Sequence, residues 1–263
     1  MPRPSVHVRP LLRSWFVDDL QLRTRTSTGA VGSARTYVLI HGIGMSHRYL
    51  MRLHGELAAS GATVHTFDLP GFGGLPKPGH DLDAGDMADA LATVLDRLDV
   101  GAAVLVGQSM GTQWAAELAA HRPDLAAAVV LIGPVSDERH RSFAGQAVAL
   151  AVDTLRESPD ANLLVFTDYL RCGIPWYLVQ LRHMLTYRLE ETVSRIEAPV
   201  LVLRGGRDPI AGVEWSRRLR DRARRGSLVS VPGHAHNAQH SAPRAVAAAI
   251  EAFAAAQSAM ATT

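Results

Sequence analysis

The chain of 263 residues has a single cysteine, Cys172. A lone thiol closes no disulfide, so no cross-linked scaffold is expected and a reducing, cytoplasmic setting is. Lysine is as scarce, with Lys77 the only one. The sequence pI near 9.0 therefore reflects arginine in place of lysine, because the formal net charge is only +2. No basic stripe interleaved with aromatics occurs, which argues against nucleic acid as a partner. The Arg-rich run from Arg217 to Arg225 has helical spacing and reads as a solvated face. Long apolar runs are missing too. The stretch "MPRPSVHVRPLLRSWFVDD" has basic residues but no unbroken apolar core before Asp18 and Asp19, so neither a signal peptide nor a membrane span is expected. There is no low-complexity segment and no repeat beyond strand–helix alternation. Nothing in the sequence specifies an oligomeric state.

What is present is a core. Hydrophobic residues make up 47% of the chain and charged ones 20%, enough for one α/β domain with an elaboration. Alternation in "SWFVDDLQLRTRT" predicts one or two N-terminal strands. The runs "TYVLI", "ATVHTF", "AAVLVG" and "AAAVVLI" then read as strands, separated by helical stretches over 46–60, 82–98 and 110–120. Continuous apolar strands alternating with helices predict an α/β fold, a doubly wound and mostly parallel central sheet covered on both faces. The alternation stops after Ile132. Residues 135–195 carry helical stretches broken by Pro159 and Pro175, after which "APVLVLRGG", a helix over 213–224, "GSLVSVPG" and a helix over 243–256 resume the pattern. The chain thus divides into a core, residues 1–134 and 196–263, and a helical insertion, 135–195. Such an insertion is expected over the carboxyl ends of the strands, where open α/β sheets bind ligands.

At one of those ends lies "VLVGQSMGTQWAAELAAHRP". Gly107-Gln108-Ser109-Met110-Gly111 fits G-x-S-x-G, a weak pattern alone, but it leaves an apolar strand and opens a helix, as a nucleophile elbow requires. The alternative makes Ser109 a helix cap and the glycines turn residues. A nucleophilic serine needs a base, and the base an orienting group. Asp208 follows the strand in "VLVLRGGRDPI", and "LVSVPGHAHNAQHSAP" follows the last one with His234, His236 and His240. The order Ser, Asp, His, each just past a strand, puts all three on one sheet edge.

Through "VLIHGIG", "FDLPGFGGLPKP", "VLVGQSMG", "LVLRGGRDPI" and "SVPGHAHNAQHSAP" the chain resembles the α/β-hydrolase superfamily from about residue 36 to 256. The resemblance implies Ser109 as nucleophile, Asp208 as acid, and the backbone N–H groups of Ile43 and Met110 as oxyanion hole. It implies that 135–195 is a helical cap. The family's usual Gly-His pair is absent, since Ala235 precedes His236; the spacing to Pro243 favours His236 as base, with His234 and His240 as alternatives. Asp137 is a fallback acid.

The cap residues Phe143, Tyr169, Trp176 and Met184 are candidates to line an apolar substrate pocket. A small-to-medium ester or lactone is the expected substrate, with no cofactor and no metal. A serine nucleophile argues against dehalogenase and epoxide-hydrolase chemistry, which use a carboxylate. Carbon–carbon bond hydrolysis of diketo acids is the runner-up and would need pocket cations such as Arg171 and Arg182. A ligand sensor with little turnover is the alternative of another class. A dinucleotide site fails where His47 replaces the third glycine of a Rossmann turn. Zinc at His234, His236 and His240 fails for want of further ligands.

Overall fold

Each apolar run read as a strand forms one. The structure, a computed structural model, describes residues 10–29, 35–138 and 159–261. The strands are β1 (Leu11–Val17), β2 (Leu20–Ser27), β3 (Thr36–Ile40), β4 (Thr63–Asp68), β5 (Ala103–Gln108), β6 (Ala126–Ile132), β7 (Val200–Gly205) and β8 (Gly226–Val231). They build one eight-stranded sheet in the order β1-β2-β4-β3-β5-β6-β7-β8. The β1–β2 hairpin adds to β4 antiparallel; every pairing from β4 to β8 is parallel. From β3 the chain goes to β4 on one side and later to β5 on the other, so the loops leaving β3 and β5 diverge and open a crevice at their carboxyl ends.

Period-two packing explains the two-sided burial. On β3, Val38 and Ile40 face one core while Tyr37 and Leu39 face the other. The first core is covered by α2 (Ala84–Arg97), α3 (Gly111–His121), α6 (Leu189–Arg195) and α7 (Val213–Arg222). The second lies under α1 (Met51–Ala59) and α9 (Pro243–Ala261). Helix α2 starts at a capping box: Asp83 accepts from the Gly85 and Asp86 N–H groups, and Asp86 accepts from Asp83 N–H. Between β6 and β7 the described insertion is helical, with α4 (Pro159–Cys172), α5 (Ile174–Thr186) and α6. Helix ends differ from the sequence reading by a few residues. Residues 47–49 form a 3₁₀ turn before α1, the short α8 (Ala238–Ser241) is new, and α9 runs on to Ala261 because nothing in its alanine-rich end breaks a helix. Among the described residues no helix is long and apolar enough to cross a membrane.

Two histidines are buried beside the hairpin, His54 on α1 and His65 on β4. His54 bonds Thr66 Oγ1 and Ser27 Oγ at 2.7 and 2.9 Å, and His65 bonds Thr26 Oγ1 at 2.9 Å. Burial lowers both from 6.5 to about 4, and for His54 the neighbouring His65 and Arg25 add to the effect. A histidine whose folded value lies below its unfolded one contributes stability that is complete above about pH 6.5. That stability is lost as pH falls toward 4, by roughly 3 kcal/mol per ring at the limit. The urea midpoint should therefore drop steeply between pH 7 and pH 4.5, and less so in His65→Gln. An unchanged midpoint across that range would contradict the buried neutral pair.

Candidate active site

Ser109 is the residue after β5 and stands at φ +55°, a left-handed conformation that a serine adopts only under constraint. The flanking glycines are needed for close approach. A Cβ on Gly107 would come 2.1 Å from Gly111 O, and one on Gly111 would come 2.5 Å from both Ile40 O and His41 O. The elbow is thus wedged between its own helix and the end of β3, with the start of α3 and its positive dipole end beneath it.

Asp208 lies in the turn after β7, almost wholly buried. Its Oδ1 accepts from the Ile210 and Ala211 N–H groups at 2.8 and 2.9 Å, and its Oδ2 faces His236 Nδ1 at 3.0 Å. Burial would raise its pKa, but the His236 ring and the two backbone donors outweigh that and hold the carboxyl below its ordinary value. Asp208 is therefore a carboxylate at neutral pH. A carboxylate at Nδ1 fixes the proton on that nitrogen and leaves Nε2 as the ring's basic nitrogen.

The ring's position relative to the elbow follows from Gly133. Ser109 N–H donates to Ile132 O at 2.9 Å, and a Cβ on the next residue, Gly133, would come 2.9 Å from His236 Cε1 and Nδ1. The imidazole thus rests on the residue adjoining the elbow's own hydrogen bond. The Asp208 and histidine loops are joined directly, since Arg207 N–H donates to His234 O at 2.9 Å. The three histidines go to different partners. His234 is half-buried and its Nδ1 bonds Ser241 Oγ at 2.9 Å. His240 stacks on Tyr49 with centroids 5.1 Å apart. Of the three, His236 is the one that meets Asp208 and rests on Gly133.

On the other side of the crevice, the Ile43 and Met110 N–H groups donate to no protein acceptor among the described residues. The sequence reading gave no role to His41, which holds this turn. It is fully buried, Leu69 N–H donates to its Nε2 at 3.2 Å, and its Nδ1–H therefore donates to Gly42 O at 2.8 Å. Burial lowers its pKa against the pull of Asp68, keeping the ring neutral. A histidine directly after a strand and before a glycine was the available signal.

The cap candidates separate. Tyr169 packs on Tyr177 and against Gly44, Trp176 against Phe72 and Gly71, and the Met184 carbonyl accepts from Gln113 Nε2 and Ser136 Oγ. Phe143 lies outside the described residues. Arg171 and Arg182 are mostly exposed and paired, with Asp168 and Asp81 respectively. Asp137 is engaged by Arg218 from α7. Asp137→Asn is accordingly expected to leave kcat within about threefold of wild type in an ester-turnover assay; a loss of 10³-fold or more would move the acid there.

A mostly parallel sheet with a strained serine elbow at its switch point defines a fold of the α/β-hydrolase type. The family description "alpha/beta hydrolase fold" matches residues 37–156, and "TAP-like protein" matches residues 183–259. A protein of Mycobacterium phage D29 named as a non-heme haloperoxidase is 30% identical over 118 residues, 44% of this chain and 42% of that one, so the match spans less than half of either. The pimeloyl-acyl-carrier-protein methyl ester esterase of Neisseria meningitidis is 27% identical over 249 residues, 81% of this chain and 90% of that one. A bacterial membrane phospholipase A superposes with a TM-score of 0.80 at 25% identity, covering 94% of this chain and 86% of that one. The chain belongs to the α/β-hydrolase superfamily.

Proposed function

We propose that the chain is a serine hydrolase that cleaves a small-to-medium, partly apolar carboxylic ester or lactone. The reading is supported by the contact of the His236 ring with the Asp208 carboxylate, by its approach to Gly133, whose neighbour Ile132 accepts from the Ser109 N–H, and by the strained Ser109 backbone. His236 Nε2 takes the Ser109 hydroxyl proton as Oγ attacks the substrate carbonyl. The negative charge that develops on the carbonyl oxygen is received by the Ile43 and Met110 N–H groups. Collapse expels the alcohol, which leaves with the proton held on His236, and Ser109 retains the acyl group. Water then attacks the acyl-enzyme by the same proton path, releasing acid and restoring Ser109. Asp208 holds the ring in the required tautomer and stabilises it when doubly protonated.

Residues 135–195 are assigned as the cap, with Tyr169, Trp176 and Met184 as its described substrate-facing residues. An aromatic and neutral lining suits an uncharged acyl group. The runner-up, diketo-acid cleavage, is less well supported, because its candidate cations Arg171 and Arg182 are mostly exposed and already paired with Asp168 and Asp81. The esterase named among the relatives supports the ester reading. The test is a panel of short chromogenic esters, lactones and a diketo acid, read by product formation. Saturable turnover of esters or lactones, with none of the diketo acid, is expected. Tight binding without turnover would instead make the fold a ligand sensor.

A further inference from the structure

Three consecutive residues after the oxyanion turn, Ser46-His47-Arg48, are held from opposite sides. His47 turns toward the sheet, where its N–H donates to Asp68 Oδ1 at 2.7 Å and its Nδ1 meets Asp68 Oδ2 at 2.8 Å. Burial would raise the Asp68 carboxyl, but these bonds outweigh it and hold its pKa low. Ser46 and Arg48 turn the other way, onto α4 of the insertion. Ser46 Oγ–H donates to Asp168 Oδ2 at 2.6 Å, and Arg48 Nη1 donates to Asp168 Oδ1 at 3.1 Å and to Thr167 Oγ1 at 3.2 Å. Asp168 is 1% exposed. A carboxylate so enclosed is tolerable only with its donors in place, so its bonds fix α4 and the turn to one another.

The neighbouring residue adds a steric register. Tyr169 lies on Gly44, where a Cβ would come 2.5 Å from the ring and φ is +72°. The turn is also closed on itself by Met45 N–H donating to Gly42 O at 3.2 Å. At its far end α4 is tied to the core by Lys77, whose ammonium bonds the carbonyls of Gly71 and Arg171. Ile43, the proposed oxyanion donor, directly precedes the segment from Gly44 to Arg48 that Asp168 and Tyr169 clamp, and lies within the turn that the Met45 N–H closes on Gly42 O.

We propose that Asp168 is a positioning residue, through which helix α4 sets the geometry of the oxyanion turn by way of Ser46 and Arg48. The inference rests on the serine-hydrolase reading. It makes the insertion part of the catalytic geometry as well as a cover for the substrate. Asp168 touches no reacting atom; its effect reaches the substrate as the placement of the Ile43 N–H, which matters only once charge develops on the carbonyl oxygen.

The test measures kcat and KM separately for a short chromogenic ester on the full chain, with far-UV circular dichroism and thermal melting to certify folding. Asp168→Ala should lower kcat by roughly 10- to 100-fold, the scale of a displaced oxyanion donor, with KM within about threefold. The rate of Ser109 phosphonylation should fall in parallel, because the phosphoryl oxygen uses the same donors. Asp168→Asn, which keeps one acceptor oxygen, should lie between. Ser46→Ala should shift kcat in the same direction, and adding it to Asp168→Ala should cost no more than a further twofold. A folded Asp168→Ala variant with wild-type kcat, or with a change in KM alone, would overturn the proposal and leave Asp168 a staple for the insertion. Should that variant not fold, Ser46→Ala decides, and an unchanged kcat there overturns it equally. Ser109→Ala runs alongside: turnover surviving in it refutes the serine reading itself, whatever Asp168 does.

Discussion

Replacing His236 with alanine should cut kcat for ester hydrolysis by roughly 10⁴-fold or more, about as much as Ser109→Ala, because nucleophile and base act as one unit. The double variant should be little worse than either alone. His234→Ala should cost about tenfold or less, since that ring is half-buried, bonded to Ser241 and outside the Asp208 contact. His240→Ala should act through stability, its ring being stacked on Tyr49. The assay is kcat for one ester across the four single variants and the double one, each checked for folding. A silent His234→Ala beside an active His236→Ala would shift the base by two residues and undo the assignment.

Asp208→Asn is expected to lower kcat by a comparable ~10⁴-fold at neutral pH while the fold is retained. The carboxamide can still accept from the Ile210 and Ala211 N–H groups through one oxygen, so the turn survives. What is lost is the charge that faces His236 Nδ1 and with it the preference for a proton on that nitrogen. The amide can present its own N–H to the ring, favouring the tautomer whose Nε2 carries hydrogen and accepts nothing. Activity should therefore recover in part at alkaline pH, where Ser109 ionises more readily without the base. A loss of less than about tenfold would show that the ring is oriented by something else.

The sheet was legible because buried parallel strands leave continuous apolar runs and the helices between them leave gaps of regular length. The elbow was legible because two close approaches, Gly107 on Gly111 and Gly111 on the end of β3, admit no side chain and so mark the sequence with glycine. Asp208 followed from its place after β7. The choice of His236 over His234 did not follow from chemistry, as both lie in one loop; the structure separates them by which ring meets Oδ2 of Asp208. Asp168 was not legible at all. On a helix an aspartate reads as a solvated position, and its burial depends on Ser46 and Arg48, more than a hundred residues away in the chain. The surroundings of Arg171 and Arg182, paired with Asp168 and Asp81, were hidden for the same reason, since sequence does not tell which face of an inserted helix meets the core. His41 left only a strand-end His-Gly pair, whose meaning lies in the Leu69 N–H supplied by the end of β4.

The most direct test is covalent labelling of the serine. An organophosphonate ester reacts with an activated serine, because Oγ attacks phosphorus while the ring takes the proton, and it leaves a helix cap untouched. Incubation of the full chain with such a probe, followed by peptide mass mapping, should place one adduct on Ser109 and none in Ser109→Ala. The rate should fall on acidification as the imidazole takes up a proton, and it should fall sharply in His236→Ala. Equal labelling of wild type and Ser109→Ala, or an adduct mapped to another residue, would contradict the assignment of Ser109 as nucleophile.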